Sequence, residues 1–298
     1  MKQAVILNPH ADRGRCLRLL EPLRDRLGRH GPANIVLTKA AGDEIPLTRE
    51  ALAAGCRTII AVGGDGTWNK VGGEIFRSGT AASLGLIPGG TGSDLALTLG
   101  LPRHDLDACV RIIAEGRTRM IDVGLADGRP FLNVAGFGYD TAVIEDVRRT
   151  RFWKGRLLYL RCALRQLLSY PGFSIRMSVD GGEIQERSAH MLIVANARHF
   201  GGYFRIAPNA DPTDGVLDAV LFMNTPPRRR FGVLRALMAG THGDRREVSI
   251  TRARSLSLAF AEAPLFEVDG ELFRAENKDV EIGVVPRALS VLAPPCAE

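Results

Sequence analysis

The chain has 298 residues, 45% apolar and 24% charged, with 6% aromatic. This excludes a disordered chain, a collagen-like repeat and a coiled coil, and the length predicts two domains. The net charge of +6 favours an anionic partner, whether nucleotide phosphates, an anionic membrane or nucleic acid, and the sparse aromatics argue against base stacking on nucleic acid.

Ala4-Val5-Ile6-Leu7 reads as a first strand ended by Asn8-Pro9. It is too short for a signal peptide and lacks a cleavage site, and no apolar run reaches the ~18–20 residues of a membrane span. Membrane contact is therefore expected to be peripheral and the location cytoplasmic. Leucines from Leu17 to Leu27 keep helical spacing up to Gly28, Asn34 to Thr38 is β-branched, and 44–54 reads as helix. Thr58–Val62 and Leu84–Ile87 are apolar strands, each running into glycines. Strands alternating with helices predict a parallel sheet covered on both faces.

Near residue 119 the pattern changes. β segments are predicted at 131–135, 173–180, 190–196, 216–222, 249–260, 264–268 and 288–293, punctuated by Asp-Gly turns at 127, 180, 214 and 269. Helices are predicted at 156–169 and 227–239. The division is an α/β domain over 1–120 and a predominantly antiparallel domain over 121–298, whose last strand could pack on either. Cysteines at 16, 56, 109, 162 and 296 are odd in number and widely spaced, with no CxxC, which fits a reducing compartment.

The chemistry concentrates at Val62-Gly63-Gly64-Asp65-Gly66-Thr67-Trp68-Asn69. Glycines let backbone amides approach a phosphate, and a following helix adds positive charge at its N-terminus. Asp65 beside phosphate makes sense with Mg²⁺ or water between them, or as acceptor of a hydroxyl proton. The run fits neither GxGxxG nor the Walker A loop. A second turn, Pro88-Gly89-Gly90-Thr91-Gly92-Ser93-Asp94, follows the next strand, and Asn8-Pro9 ends the first. All three lie at the carboxyl edge of one sheet, where open α/β sheets bind ligands.

These residues resemble the diacylglycerol kinase catalytic-domain family, which includes bacterial soluble lipid kinases and the sphingosine and ceramide kinases. The likeness continues through Ile121-Asp122-Val123-Gly124, Asn133 to Asp140, Pro208 to Gly215 and Val268-Asp269-Gly270-Glu271. It implies a Rossmann-like α/β domain of the phosphofructokinase and NAD kinase kind, a β-sandwich, and ATP in a cleft between them. Gly63, Gly64, Gly66 and Thr67 would hold phosphate with help from Asn8 and Thr91. Asp65 would organise Mg²⁺ and water, together with Asp94 and Asp122. The resemblance puts the general base at Asp269 by the bacterial members and at Asp65 by the sphingosine kinases, with Glu271 close to the nucleotide. Asp140 would face the acceptor hydroxyl, Lys154 a phosphate, and Asp214 a structural Mg²⁺. Lys70, Ser93, Trp68 and the stretched NPHADRG segment depart from the family pattern.

The function expected is ATP-dependent phosphorylation of a hydroxyl on diacylglycerol, ceramide or a sphingoid base. NAD kinase, which shares GGDGT, and a non-catalytic nucleotide- or lipid-binding regulator are the alternatives. Pro226 to Met238 reads as a basic amphipathic helix suited to a lipid interface. The leucines of 156–168 suit a core or an acyl pocket. Homodimer formation is left open, and no nucleic-acid partner is expected.

Overall fold

The computed structural model describes residues 2–31, 34–90, 92–150, 156–202 and 204–295. The chain forms two units: Met1–Val123 with Pro212–Asp214 and Pro286–Glu298, and Gly124–Asp211 with Gly215–Val285. The first is an α/β domain and the second a β-sandwich.

In the first unit the strands are β1 (Gln3–Leu7), β2 (Asn34–Leu37), β3 (Thr58–Gly63) and β4 (Ser83–Pro88). The helices are α1 (Leu20–Gly28), α2 (Glu44–Ala53), α3 (Asp65–Ser78), α4 (Asp94–Leu99) and α5 (Leu106–Glu115). β2, β1, β3 and β4 lie side by side in parallel. Continuous apolar runs suit strands buried on both faces. Val5, Leu7, Ile60 and Val62 enter one core, while Ala4, Ile6, Ile59 and Ala61 are buried on the opposite face. The predicted helix from Leu17 begins only at Leu20, because Asp12, Arg13 and Gly14 take left-handed backbone and the segment Ala11–Leu19 winds as irregular 3-10 turns.

β5 (Thr118–Ala126) leads into the second unit. There follow β6 (Arg129–Phe131), β7 (Val134–Gly138), α6 (Tyr139–Arg149), α7 (Arg156–Ser169), β8 (Phe173–Val179), β9 (Gln185–Ala195) and β10 (Leu217–Met223). Then come α8 (Pro227–Ala239), β11 (Val248–Ala253), β12 (Ser255–Phe260), β13 (Leu265–Val268), β14 (Glu271–Arg274) and β15 (Asp279–Leu292). The end of β15 joins the first unit's sheet: Ser290 and Val291 run parallel to Ser83 and Leu84, and the Ser83 and Ser290 hydroxyls bond at 2.8 Å.

Strand alternation sorts the second unit's core into two. On β9, Leu192 and Val194 face one cluster, while Met191, Ile193 and Ala195 face the other. β10 does the same, with Leu217, Ala219 and Leu221 against Val220 and Phe222. Helices α7 and α8 fall where the periodicity placed them; α6 was not foreseen. The expected 249–260 strand is two strands, broken at Arg254, whose amide is taken by the Asp180 side chain.

Candidate active site

The turns after β3 and β4 meet through their backbones. A Cβ at Gly90 would stand 2.5 Å from Gly64 Cα, so only glycine permits this approach. The Gly89 amide donates to Gly63 O at 2.8 Å and locks the two turns together. Gly64 caps α3, whose 14 residues aim a positive dipole end at the same place. Around Gly66 a Cβ would meet nothing within 4 Å, which leaves open space over the turn.

Asp65 opens α3 half-buried, and its Oδ1 accepts the Leu95 amide at 3.1 Å from the first turn of α4. The carboxylate thus bridges the starts of two helices, where both dipoles favour its charge. Asp94 begins α4 and is buried. Asn8 and Thr67 are bonded to each other: Asn8 Nδ2 donates to Thr67 Oγ1 at 3.0 Å and to Glu44 Oε1 at 3.2 Å. Sequence reasoning missed Glu44. Its signal would have been an acidic residue at the first position of α2, and it is buried with Oε2 accepting the Gly42 amide at 3.1 Å. Trp68 is a core residue, fully buried, with Nε1 donating to Ala61 O at 3.1 Å. Its bulk fills the interior behind the turn.

Beside the Pro88–Ser93 turn lies a cavity of about 380 Å³ lined by Arg15, Arg18, Arg103 and His104, with Asp12 and Asp105 opposing them. Arg103 donates to Gly92 O at 2.9 Å and so steadies the turn. Cys16 and Cys109 line it as buried thiols pushed up to about 11, chiefly by burial, which leaves them unreactive.

Asp122 is fully buried. Its Oδ1 accepts the Arg287 amide at 2.7 Å, and its own amide donates to Pro212 O at 2.6 Å, so it ties three distant segments of the first unit. Asp214 is exposed. Among the described residues no three His, Cys, Asp or Glu side chains converge on a metal-sized site. The residues fit a magnesium ion carried on nucleotide phosphates, with Asp65 nearby, better than one caged by protein. Thr91 and Lys154 lie outside the described residues.

On the second unit, Asp269 and Gly270 take positive φ, the pairing a two-residue hairpin requires. The Asp269 carboxylate accepts three amides: Leu132 at 2.8 Å on Oδ2, and Asn133 at 3.0 Å and Val134 at 2.8 Å on Oδ1. Asp180, in another Asp-Gly hairpin, accepts the Arg254 and Ser255 amides in the same manner. Glu271 follows the Asp269 turn and opens β14.

A buried carboxyl pair stands near that turn. Asp140 is at the first turn of α6, and Glu267 is on β13. A Cβ at Gly136 would collide with Asp140 Oδ2 and stand 2.9 Å from Glu267 Oε1, so glycine makes room for both carboxyls. Glu267 Oε2 accepts the Gly270 amide at 2.6 Å, whereas Oε1 and both Asp140 oxygens make no hydrogen bond of ordinary geometry among the described residues. Burial pushes Asp140 up to about 7, only partly offset by the first-turn amides of Asp140 and Thr141. Burial, then the Asp140 charge, raises Glu267 well above the usual carboxylate range. Glu267 was missed because its alternation within Leu265–Val268 reads as an outward-facing strand residue. His190 is buried nearby in the same unit, stacked on Tyr139 at 5.1 Å, and burial pushes it down to about 4.

Residues 2–126 match the diacylglycerol kinase catalytic domain, and residues 133–293 match the YegS C-terminal NAD kinase beta sandwich-like domain. The chain belongs to the diacylglycerol kinase family. It is 30% identical to a diacylglycerol kinase of Mycobacterium tuberculosis over 98% of this chain and 95% of that one. With a diacylglycerol kinase of Bacillus subtilis the identity is 28% over 91% and 90%. The fold is shared with a diacylglycerol kinase crystal structure from Bacillus anthracis, at 22% identity and TM-score 0.76, covering 99% of this chain and 97% of that one. An Archaeoglobus fulgidus NAD kinase in complex with ATP shares it more distantly, at 12% identity and TM-score 0.57 over 99% and 94%. The protein is an ATP-dependent lipid kinase. No described helix is long and apolar enough to cross a membrane.

Proposed function

We propose that the enzyme transfers the γ-phosphoryl of ATP to the free hydroxyl of diacylglycerol at a membrane surface. The observation that carries this is the close approach of the glycine turns at the carboxyl ends of β3 and β4, with Asp65 at the start of α3. The diacylglycerol kinase names of the full-length relatives support the acceptor, with ceramide and sphingoid bases as the competing lipids.

The amides of Gly64, Gly66 and Gly90 would hold phosphate oxygens, aided by the α3 dipole. A magnesium ion, when bound, would neutralise charge developing on the transferred group. Asp65 takes the acceptor's proton as its oxygen bonds to the γ-phosphorus and the bond to the β-phosphate oxygen breaks, releasing ADP. Asp269 is better suited to shaping the 132–134 backbone than to taking a proton, because three amides already occupy most of its lone-pair directions. Asp140, with Glu267 beside it, is offered as a polar site within the second unit. Glu267 Oε1 and both Asp140 oxygens make no hydrogen bond of ordinary geometry among the described residues, and a protonated carboxyl donates where an ionised one accepts.

Asp65→Asn tests the assignment. Turnover should fall ~10²–10⁴-fold while ATP binding, followed by calorimetry, persists. Turnover within a few-fold of wild type would remove Asp65 from the proton-accepting role.

A further inference from the structure

A buried carboxylate is costly, and more so beside a turn that binds phosphate. Glu44 is such a group. It opens α2, is buried, and touches both Asn8, just beyond β1, and Thr67, in the first turn of α3. The loop before α2 is built to hold it there. Asp43 Oδ2 accepts the Lys39 amide at 2.7 Å and the Ala40 amide at 2.8 Å, and Gly42, at a φ of +96°, gives its own amide to Glu44 Oε2 at 3.1 Å. With Oε2 tethered, Oε1 is aimed at the contact between Asn8 and Thr67.

The Asn8 carboxamide is committed at both ends. Its Oδ1 accepts the His10 amide at 3.0 Å, while Nδ2 donates to Glu44 Oε1 at 3.2 Å and to Thr67 Oγ1 at 3.0 Å. Thr67 is buried in turn, and a Cβ at Gly63 would stand 2.7 Å from its Oγ1, so glycine there leaves the hydroxyl its place.

We propose that Glu44 is a positioning residue for the nucleotide, which holds the Asn8 carboxamide with its NH2 towards Thr67 and so leaves the Thr67 hydroxyl proton to be donated to a phosphate oxygen of ATP. Both Glu44 oxygens receive N–H donors, and a carboxylate only accepts, so the end of Asn8 that faces it must be the amide nitrogen. The same NH2 fills one lone pair of Thr67 Oγ1 and asks for no proton in return. Glu44 Oε1 stands 3.5 Å from Oγ1, long for an O–H···O bond, so it does not hold that proton itself. With the carboxamide reversed, Oδ1 would take the Thr67 proton, and the hydroxyl would turn lone pairs towards the anion. The inference rests on the reading of the glycine turns as the ATP phosphate site and adds the residue that sets the proton there.

Calorimetry of ATP with Mg²⁺, in the absence of lipid, would be run on the full chain, Glu44→Gln, Thr67→Val and the double variant. Gln keeps the shape of Glu44 but brings an NH2 that must face either the Gly42 amide or Asn8. Glu44→Gln should weaken ATP binding ~10-fold and raise KM for ATP alike, with KM for diacylglycerol unchanged. In the Thr67→Val background the same change should add less than ~2-fold, because the hydroxyl it acts through is gone. Should Glu44→Gln misfold by circular dichroism, Glu44→Asp draws the carboxylate back from Asn8 and should cost ~3-fold with the Thr67 hydroxyl present and nothing without it. Wild-type affinity in a folded variant, or the same loss in both backgrounds, would mean that Glu44 only braces the loop and would overturn the proposal. No ATP binding by wild type would overturn both the phosphate site and this relay. The predicted coupling in a protein that labels no diacylglycerol would uphold the relay and refute the acceptor alone.

Discussion

Asp140→Asn should make the protein more stable, in a pH-dependent way. In the folded chain this carboxyl is pushed up to about 7 from 3.8, because burial removes its hydration. The folded state therefore holds a proton that the unfolded chain releases above about pH 4. Stability contributed by the protonated form is complete below that pH and is lost as pH rises through about 7. A displacement of roughly three units corresponds to about 4 kcal/mol at alkaline pH, as an upper bound because Glu267 shares the titration. Asparagine keeps the shape and cannot ionise. Urea unfolding should show the variant ~2–4 kcal/mol more stable than wild type at about pH 8, and nearly equal to it at about pH 4. The same variant should lose activity on diacylglycerol, since a buried group that costs stability persists where function needs it. A stability difference that is flat with pH, or a variant less stable at alkaline pH, would refute the reasoning.

Asp269→Asn should behave oppositely, losing ~1–3 kcal/mol, because its amide nitrogen would face one of the three backbone donors; chemical denaturation measures this, and an unchanged midpoint would contradict the clamp. Gly90→Ala places a methyl against the Gly64 backbone and should weaken ATP binding at least ~10-fold, since positioning errors of this kind are costly. Gly66→Ala is the contrasting case. Its Cβ meets no protein atom, so stability should stay within ~1 kcal/mol of wild type while nucleotide affinity falls; unchanged affinity would mean that phosphate does not occupy that space.

The glycine turns were legible because they are local: strand, glycines and helix follow one another, and edge position follows from a parallel sheet. Of the second unit's three described helices, α7 and α8 were legible in extent from periodicity alone. Their surfaces were not. Arg230 sits within a run of three arginines, and only the folded chain shows that it turns inward to the end of α7. The family resemblance pointed to Asp269 as one of two candidate bases, and nothing in the sequence reveals that residues 132–134 return to it. Glu267 and Glu44 were missed for a related reason: each is buried by segments far away in the chain, and a lone acidic residue carries no signature of that burial.

The most direct test is label transfer from γ-labelled ATP with Mg²⁺ to diacylglycerol, ceramide and sphingosine in mixed micelles, with NAD in a parallel tube. The account predicts label in diacylglycerol ahead of the other lipids and none in NAD. Label in NAD alone, or in no acceptor while ATP binds, would contradict it.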